Sequence, residues 1–253
     1  MAIWETPEVL SGPTQQLMGP DGKEIKPELG LCVIHQDFTT MEWATAFKFL
    51  NIPIPYVYHF NKNAPYDVAR EQTTRACLEK GVKWIFHLDS DVVPKDNDII
   101  PKLIALSEQN NLPVISGLYF AKKPGPPMPA AWVKIGEDKA NNKIFYKDFD
   151  ITPYLDQNAL LQVDVVGAGC LLIRSDVFKK LDESDPKKPY FNWGLGRRDI
   201  NGKPLLQVSE DFAFCERLNE IGVKPHISSA LKCDHLCISK RRASDGQYEL
   251  TSV

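Results

Sequence analysis

The feature that most constrains this chain is a short apolar segment, residues 84–88, followed by two aspartates one residue apart. Its aromatic and β-branched residues predict a buried β-strand, which Pro94 ends a few residues later. Because side chains alternate along a strand, Asp89 and Asp91 point the same way if the extended geometry continues to Asp91. Two adjacent carboxylates repel each other, and a shared hard cation such as Mg²⁺ or Mn²⁺ relieves that repulsion. A solvated acidic turn is the alternative interpretation.

Strands and helices alternate through the first half of the chain. The segments that predict strands are 31–35, 56–60, 82–88 and 112–119. The segments that predict helices are 41–50, 66–80 and 98–110. This alternation favours an α/β fold with a mostly parallel, doubly wound sheet and right-handed crossovers.

The pattern changes after Phe120, where the proline-rich segment 122–129 predicts a loop between two halves of the chain. The elements predicted beyond this loop are strands at 131–135, 143–146 and 162–174 and helices at 176–181 and 210–221. The longest of these strands is interrupted by Gly167 and Gly169, which indicates a bulge or a close approach of the backbone to a ligand.

Composition excludes several classes of protein. The net charge of −3 over 253 residues is not typical of a polyanion-binding surface, so we expect no nucleic-acid partner. No apolar segment approaches the length of a membrane span, and the N-terminus lacks the pattern of a signal peptide. We therefore expect a soluble, cytoplasmic protein whose six cysteines are reduced thiols. The adjacent Lys240, Arg241 and Arg242 leave peripheral contact with a membrane open.

Four segments, in this order, resemble the GT-A glycosyltransferases and are most similar to family 2. They are LDSD at 88–91, the glycine-bearing segment 165–174, SEDFAF at 209–214 and CDH at 233–235. The resemblance implies a Rossmann-like single GT-A domain with a central, mostly parallel mixed sheet flanked by helices. It also implies that a sugar is transferred from a UDP- or GDP-sugar to a hydroxyl of a glycan or another acceptor. We expect inversion, but retaining enzymes share the Asp-x-Asp motif, so the stereochemical outcome stays open.

The same resemblance divides the chain. Residues 30–238 would form the GT-A domain, with 1–29 as an N-terminal extension and 239–253 as a C-terminal tail. Within the domain, 30–120 would be the half that binds the nucleotide-sugar and 121–238 the half that binds the acceptor. The sequence does not indicate an oligomeric state.

The resemblance also implies roles for individual residues. Asp91, together with Asp89 and His235, would bind Mn²⁺ or Mg²⁺ on the diphosphate of the donor. Asp211 would be the general base that deprotonates the acceptor hydroxyl, and Glu210 would support it or bind the acceptor. The further residues expected to contact the donor are His35, Asp37, Arg70, Arg75, Ser90, Gly169 and Trp193. Family 2 commonly has a PxYN-like segment where this chain has HQDF at 35–38, so the identity of the nucleotide stays open.

Several of these residues have ordinary structural explanations. Acidic residues in the first turn of a helix, such as Glu210 and Asp211, stabilise the helix dipole. Arg70 and Arg75 are equally compatible with ion pairs on a helix surface, and Trp193 with a solvated loop.

Three other functions compete with the glycosyltransferase interpretation. A haloacid-dehalogenase-like phosphohydrolase also has a hydrophobic strand followed by Asp-x-Asp and would use Asp89 as its nucleophile, but its motif normally lies on the first strand. A sugar nucleotidyltransferase shares the sheet order, although its glycine-rich loop near the N-terminus is absent here. A non-catalytic binder of nucleotide-sugars or glycans would need the pocket but not Asp211.

Overall fold

The computed structural model describes residues 10–11, 25–35, 39–62, 64–122, 128–138, 143–193, 209–237 and 251–252. The helices in these ranges are α1 (Met41–Lys48), α2 (Tyr66–Glu79), α3 (Ile99–Asn110), α4 (Ser175–Ser184) and α5 (Glu210–Glu220), with a short 3₁₀ helix at Thr152–Tyr154. The strands are β1 (Leu10–Ser11), β2 (Leu29–His35), β3 (Tyr56–Lys62), β4 (Trp84–Asp89), β5 (Val92–Pro94), β6 (Val114–Leu118), β7 (Ala131–Asp138), β8 (Lys143–Asp148), β9 (Leu160–Gln162), β10 (Val165–Val166), β11 (Cys170–Arg174), β12 (His226–Cys237) and β13 (Thr251–Ser252). None of the helices in the described ranges is both long enough and apolar enough to cross a bilayer.

The central sheet has the strand order β1-β3-β2-β4-β11-β6-β12-β13. Strands β3, β2 and β4 are parallel to one another, as are β6 and β12. Strand β11 lies between β4 and β6 and is antiparallel to both. The sheet is therefore mixed and mostly parallel, as the sequence predicts.

Two apolar cores cover the two faces of this sheet, because alternate side chains of each strand point to opposite faces. In β4, Ile85 belongs to the core that contains Cys77 of α2 and Phe178 of α4. Its neighbour Phe86 belongs to the core that contains Leu103 of α3. Burial on both faces explains why residues 84–88 of β4 are apolar except for His87.

The prediction of one long strand over 162–174 is wrong. The segment forms β9 at the edge of β12, then β10 in a small antiparallel sheet with β7 and β8, and then β11 in the centre of the main sheet. Across residues 167–169 the chain leaves the small sheet and enters the main sheet. Gly167 and Gly169 both lie against the side chain of Tyr119.

The terminal segments are described only in part. Strand β1 pairs with β3, so the predicted N-terminal extension contributes an edge strand rather than being wholly irregular. Strand β13 of the predicted tail pairs with the end of β12. The division into a donor half and an acceptor half stays a prediction.

Candidate active site

A pocket of about 570 Å³ lies beside the carboxyl end of β4 and the N-terminus of α5. Ligands of open α/β sheets characteristically bind at the carboxyl ends of the strands. The residues predicted from the sequence that line this pocket are Arg70, Asp89, Ser90, Asp91, Trp193, Glu210, Asp211 and His235. The structure thus brings together eight side chains from five separate segments of the chain.

The two aspartates of the acidic segment have different environments. The extended geometry ends at Asp89, because residues 90 and 91 form a turn before β5. The indole N–H of Trp43 donates to the carbonyl of Asp89 at 2.8 Å, and the N–H of Leu236 donates to the carbonyl of Asp91 at 2.7 Å. These bonds fix the turn from both sides, so the two carboxylates contact different partners.

Asp89 belongs to a buried charge cluster around Arg70, whose side chain is only 2% exposed. Its Nη2 donates to Oδ2 of Asp89 at 2.9 Å, and its Nε donates to Oε1 of Glu210 at 3.2 Å. The same Nε lies 3.8 Å from Oδ1 of Asp211, and Nη1 donates to the carbonyl of Ala168 at 3.2 Å. One guanidinium therefore binds carboxylates from β4 and α5 and also the backbone of residues 167–169, the glycine turn.

The pKa values within this cluster are strongly shifted. Burial, reinforced by the charge of Glu210, raises the pKa of Asp211 well above its usual range. Burial also raises the pKa of Asp89, although Arg70 opposes it. Burial alone would lower the pKa of Arg70, but the surrounding carboxylates raise it well above its usual value. Arg70 thus stays charged, and Asp211 holds a proton more readily than an ordinary aspartate does.

Asp91 belongs to a second cluster. Its Oδ2 accepts a hydrogen bond from Nζ of Lys122 at 2.6 Å, and its Oδ1 lies 3.7 Å from Nε2 of His235. Although burial opposes ionisation, the contacts with His235 and Lys122 lower the pKa of Asp91 to about 2. Asp91 is therefore ionised throughout the neutral range.

His235 is oriented by the backbone. It lies opposite Val92 in the pairing of β12 with β5, and its Nδ1 is 2.8 Å from the carbonyl oxygen of Phe120. Because a carbonyl oxygen can only accept, Nδ1 carries a hydrogen. Nε2 then donates to Asp91 when the ring is an imidazolium, and in the neutral ring it has a lone pair that can bind a metal ion. Metal-ligating histidines commonly donate one ring N–H to a backbone carbonyl in this way, which leaves the other nitrogen for the metal ion.

The residues present fit a divalent cation in part. Oδ1 of Asp91 and Nε2 of His235 face each other as two ligand atoms. Asp89 gives Oδ2 to Arg70, and its Oδ1 is buried with no hydrogen-bond partner among the described residues, so only Oδ1 is left for a cation. Within the described ranges, no three His, Cys, Asp or Glu side chains form a group able to hold a metal. A cation here would complete its shell with phosphate oxygens and water, as Mg²⁺ commonly does.

Tyr119 is a pocket residue that the sequence analysis missed. Its hydroxyl accepts a hydrogen bond from the N–H of Gly169 at 2.9 Å, and its ring packs edge-on against His235 at 5.3 Å. A Cβ atom at Gly167 would lie 2.1 Å from the Tyr119 hydroxyl oxygen, and one at Gly169 would lie 3.0 Å from it. The glycines therefore admit Tyr119 against the backbone, which explains why the predicted long strand is interrupted. Gly169 itself lies behind Tyr119 rather than in the pocket wall.

Trp193 lines the pocket, and α2 holds its backbone. Its N–H donates to Oδ2 of Asp67 at 3.1 Å, and Glu71 accepts in the same way from Tyr190 and Phe191. The indole nitrogen of Trp193 is buried without a hydrogen-bond partner among the described residues. A donor group is therefore left in the pocket wall.

Besides Gly169, Arg75 is a predicted residue that lies outside the pocket, and the side chains of His35 and Asp37 are not described. Arg75 is 44% exposed, pairs with Glu71 and covers the ring of Tyr190 at 4.4 Å, and it lines a separate cleft beside α4. His35 ends β2, where its backbone pairs with β3. Asp37 lies outside the described residues.

Besides Tyr119, the aromatic and charged pocket residues that sequence reasoning missed are Tyr66, Lys122 and Trp132. Tyr119 and Lys122 follow β6, and their place just beyond the carboxyl end of a predicted strand was a usable signal. Trp132 belongs to β7 and reaches the pocket through the small sheet, whose position the sequence pattern does not indicate.

Comparisons with known proteins find remote similarity only. No family model and no curated protein matches the sequence. Among solved structures, A197 from STIV is 19% identical over 87% of this chain and 93% of that one, with a TM-score of 0.49. GalNAc-T7 with UDP, GalNAc and Mn²⁺ is 12% identical over 80% of this chain and 37% of that one, with a TM-score of 0.43. UDP-glucose pyrophosphorylase complexed with UDP-glucose is 12% identical over 72% of this chain and 60% of that one, with a TM-score of 0.36. At this level of similarity we assign the chain to no family, and the resemblance to family 2 stays a prediction.

Gly167→Ala is expected to destabilise the protein, because the added carbon meets the Tyr119 hydroxyl, and overpacking a buried site costs about 1–3 kcal/mol. Gly136→Ala is the matched control, because nothing lies within 4 Å of the carbon it adds. Urea unfolding measures both variants, and the penalty at Gly167 should shrink in a Tyr119→Phe background. Equal stability of the Gly167 and Gly136 variants would contradict this packing.

Arg70→Met is expected to lower the free energy of unfolding by about 3–5 kcal/mol, because it leaves buried carboxylates without their cation. The loss should be larger at pH 8 than at pH 5. Removing Arg70 raises the folded-state pKa of Asp211 further, so the folded protein binds a proton that the unfolded chain releases, and stability falls as the pH rises.

The control for this experiment is Arg75→Met. It breaks an exposed ion pair with Glu71 and should cost about 1 kcal/mol or less. Denaturant titrations at the two pH values compare the variants. Equal losses for Arg70→Met and Arg75→Met, or a loss that does not change with pH, would contradict the assignment of Arg70 as the centre of the charge cluster.

Proposed function

We propose that this protein is a metal-dependent glycosyltransferase, which moves a sugar from a UDP- or GDP-sugar to an acceptor hydroxyl with inversion. One observation carries the proposal. A single pocket holds a pair of ligand atoms on Asp91 and His235 and a separate carboxylate of raised pKa, Asp211. This separation suits a reaction in which Asp91 and His235 help to stabilise an anionic leaving group and Asp211 accepts a proton.

On the donor side, Asp91 and His235 would hold Mn²⁺ or Mg²⁺, which when bound neutralises the charge that develops on the nucleoside diphosphate. The low pKa of Asp91 keeps this ligand ionised at neutral pH. Oδ1 of Asp89, which has no hydrogen-bond partner among the described residues, is available to a donor hydroxyl or to the cation. The hydroxyl of Ser90 lines the same wall.

On the acceptor side, Asp211 would act as the general base. It takes the proton of the acceptor hydroxyl while the oxygen forms a bond to the anomeric carbon and the bond from that carbon to the diphosphate breaks. A raised pKa suits this role, because a base is most effective when its pKa approaches the working pH. Glu210 is buried against Arg70 and would position Asp211 rather than receive the proton.

The aromatic residues of the pocket support a carbohydrate ligand. Trp132 and Trp193 both contribute to its wall. Trp132 also packs against Phe212 of α5 with ring centroids 4.7 Å apart, which places an aromatic surface beside the proposed base. The apolar faces of sugars pack well on large rings that also carry a hydrogen-bond donor.

The phosphohydrolase alternative is less well supported. Its nucleophile would be Asp89, but one oxygen of Asp89 is bound to Arg70, and burial raises its pKa. Three strands of the same sheet, β1, β2 and β3, precede β4 in the chain, whereas the phosphohydrolase motif normally lies on the first strand. A non-catalytic binder would need the same pocket and is distinguished by the absence of turnover.

Binding and turnover of UDP- and GDP-sugars, with and without Mn²⁺, test the proposal. We expect one nucleotide class to raise the melting temperature in a Mn²⁺-dependent way, and Asp91→Ala to abolish that shift. Asp211→Asn should keep donor binding but lower turnover by about 10²–10⁴-fold, the usual contribution of a general base. Asp234→Asn is the control, because Asp234 pairs with Lys95 and does not line the pocket.

Three results would contradict the proposal. Full turnover by Asp211→Asn would remove the base assignment. Donor binding by the unmodified protein with no transfer to any acceptor, and no donor hydrolysis, would indicate a binder. No nucleotide-sugar binding, but hydrolysis of a phosphate ester, would indicate a phosphohydrolase.

A further inference from the structure

Lys122 occupies a place in the pocket that the proposed reaction does not yet use. Its ammonium donates to Oδ2 of Asp91 at 2.6 Å, while the other oxygen of Asp91 faces His235. The two oxygens of this carboxylate thus have different neighbours: Oδ2 contacts the ammonium of Lys122, and Oδ1 faces Nε2 of His235, which can bind a metal ion. A cation on Oδ1 and the ammonium on Oδ2 would lie on either side of the same group.

The backbone around Lys122 is held in place. The N–H of Ala121 donates to the carbonyl of Met128 at 2.7 Å, and the N–H of Ala130 donates to the carbonyl of Tyr119 at 2.9 Å. Phe120 also forms a β-bridge with Pro129. These bonds close the base of the 121–129 segment, so the Lys122 side chain starts from a fixed point at the pocket wall and is 31% exposed.

A neighbouring ion pair shows what an ordinary surface contact looks like here. Lys95 pairs with Asp234, which precedes His235 on β12, and neither residue lines the pocket. Lys122 and Asp91 both line it. The two pairs have the same chemistry, but only the pair of Lys122 and Asp91 faces the space where a substrate would bind.

We propose that Lys122 is a second cation of the diphosphate site, which pairs with Oδ2 of Asp91 and contacts the diphosphate of the donor beside the divalent metal. The inference rests on the proposed function and adds a residue to its donor site. It predicts opposite effects on two ligands. The ammonium repels a divalent cation bound at Asp91 and attracts the negatively charged diphosphate.

The test replaces Lys122 by Met, an unbranched side chain that is one atom shorter and carries no charge. Titration of Mn²⁺ without nucleotide, followed by electron paramagnetic resonance, should show tighter metal binding, by about 3- to 10-fold. Calorimetric titration with UDP or GDP at saturating Mn²⁺ should show nucleotide binding weakened by about 10- to 100-fold, the loss of one hydrogen bond to a charged group. Lys95→Met is the matched control and should change neither affinity.

The outcomes separate this inference from the function on which it rests. Mn²⁺-dependent nucleotide binding that is the same in the unmodified protein and in Lys122→Met would overturn the role of Lys122 and leave the proposed function standing. Nucleotide binding that needs no metal but is lost in Lys122→Met would support Lys122 and remove the metal from the proposed function. No nucleotide binding by the unmodified protein would overturn both. A melting temperature close to that of the unmodified protein confirms that the variant is folded.

Discussion

The site depends on the ion pairs and hydrogen bonds of one buried group, the guanidinium of Arg70. It joins Asp89 at the end of β4, Glu210 and Asp211 at the start of α5, and the carbonyl of Ala168 in the glycine turn. A charge removed from water is costly unless it is paired and hydrogen-bonded, so these elements cannot separate without exposing an uncompensated charge. Arg70 and Glu210 are 140 residues apart in the chain, and their contact fixes the position of α5 relative to α2 on the two sides of the pocket.

This arrangement gives the carboxylates of one pocket different properties. Asp91, beside Lys122 and His235, has a pKa lowered to about 2, whereas burial raises the pKa of Asp211 well above its usual range. Groups whose environments push their pKa values apart are suited to different chemical roles. In the proposed reaction, the permanently ionised group faces the donor diphosphate, and the group that accepts a proton faces the acceptor.

Much of the fold could be predicted from local patterns. The aromatic and β-branched residues of β4 indicated a buried strand, and the alternation of strands and helices indicated a mostly parallel sheet. The antiparallel insertion of β11 between β4 and β6 could not be predicted, because it depends on a pairing between segments more than 50 residues apart. The split of 162–174 has the same origin, since it depends on where the Tyr119 ring packs.

The site was predictable to a similar extent. The acidic residues of β4 and α5 stood out as motifs, but their shared partner Arg70 could not be distinguished from Arg75 by proximity in sequence. Helical geometry does distinguish them, because residues five apart lie about 140° apart around a helix, so only one of the two can face the pocket. Lys122 carried no motif, and its role follows only from the contact with Asp91.

The most direct test of the account is anomalous diffraction from crystals grown with Mn²⁺ and the nucleoside diphosphate that binds. The account predicts an anomalous peak within bonding distance of Oδ1 of Asp91 and Nε2 of His235, beside the diphosphate, with Arg70 still bound to Asp89 and Glu210. A peak between Asp89 and Asp211 with Arg70 displaced, or no peak in the pocket while the diphosphate is bound there, would contradict it.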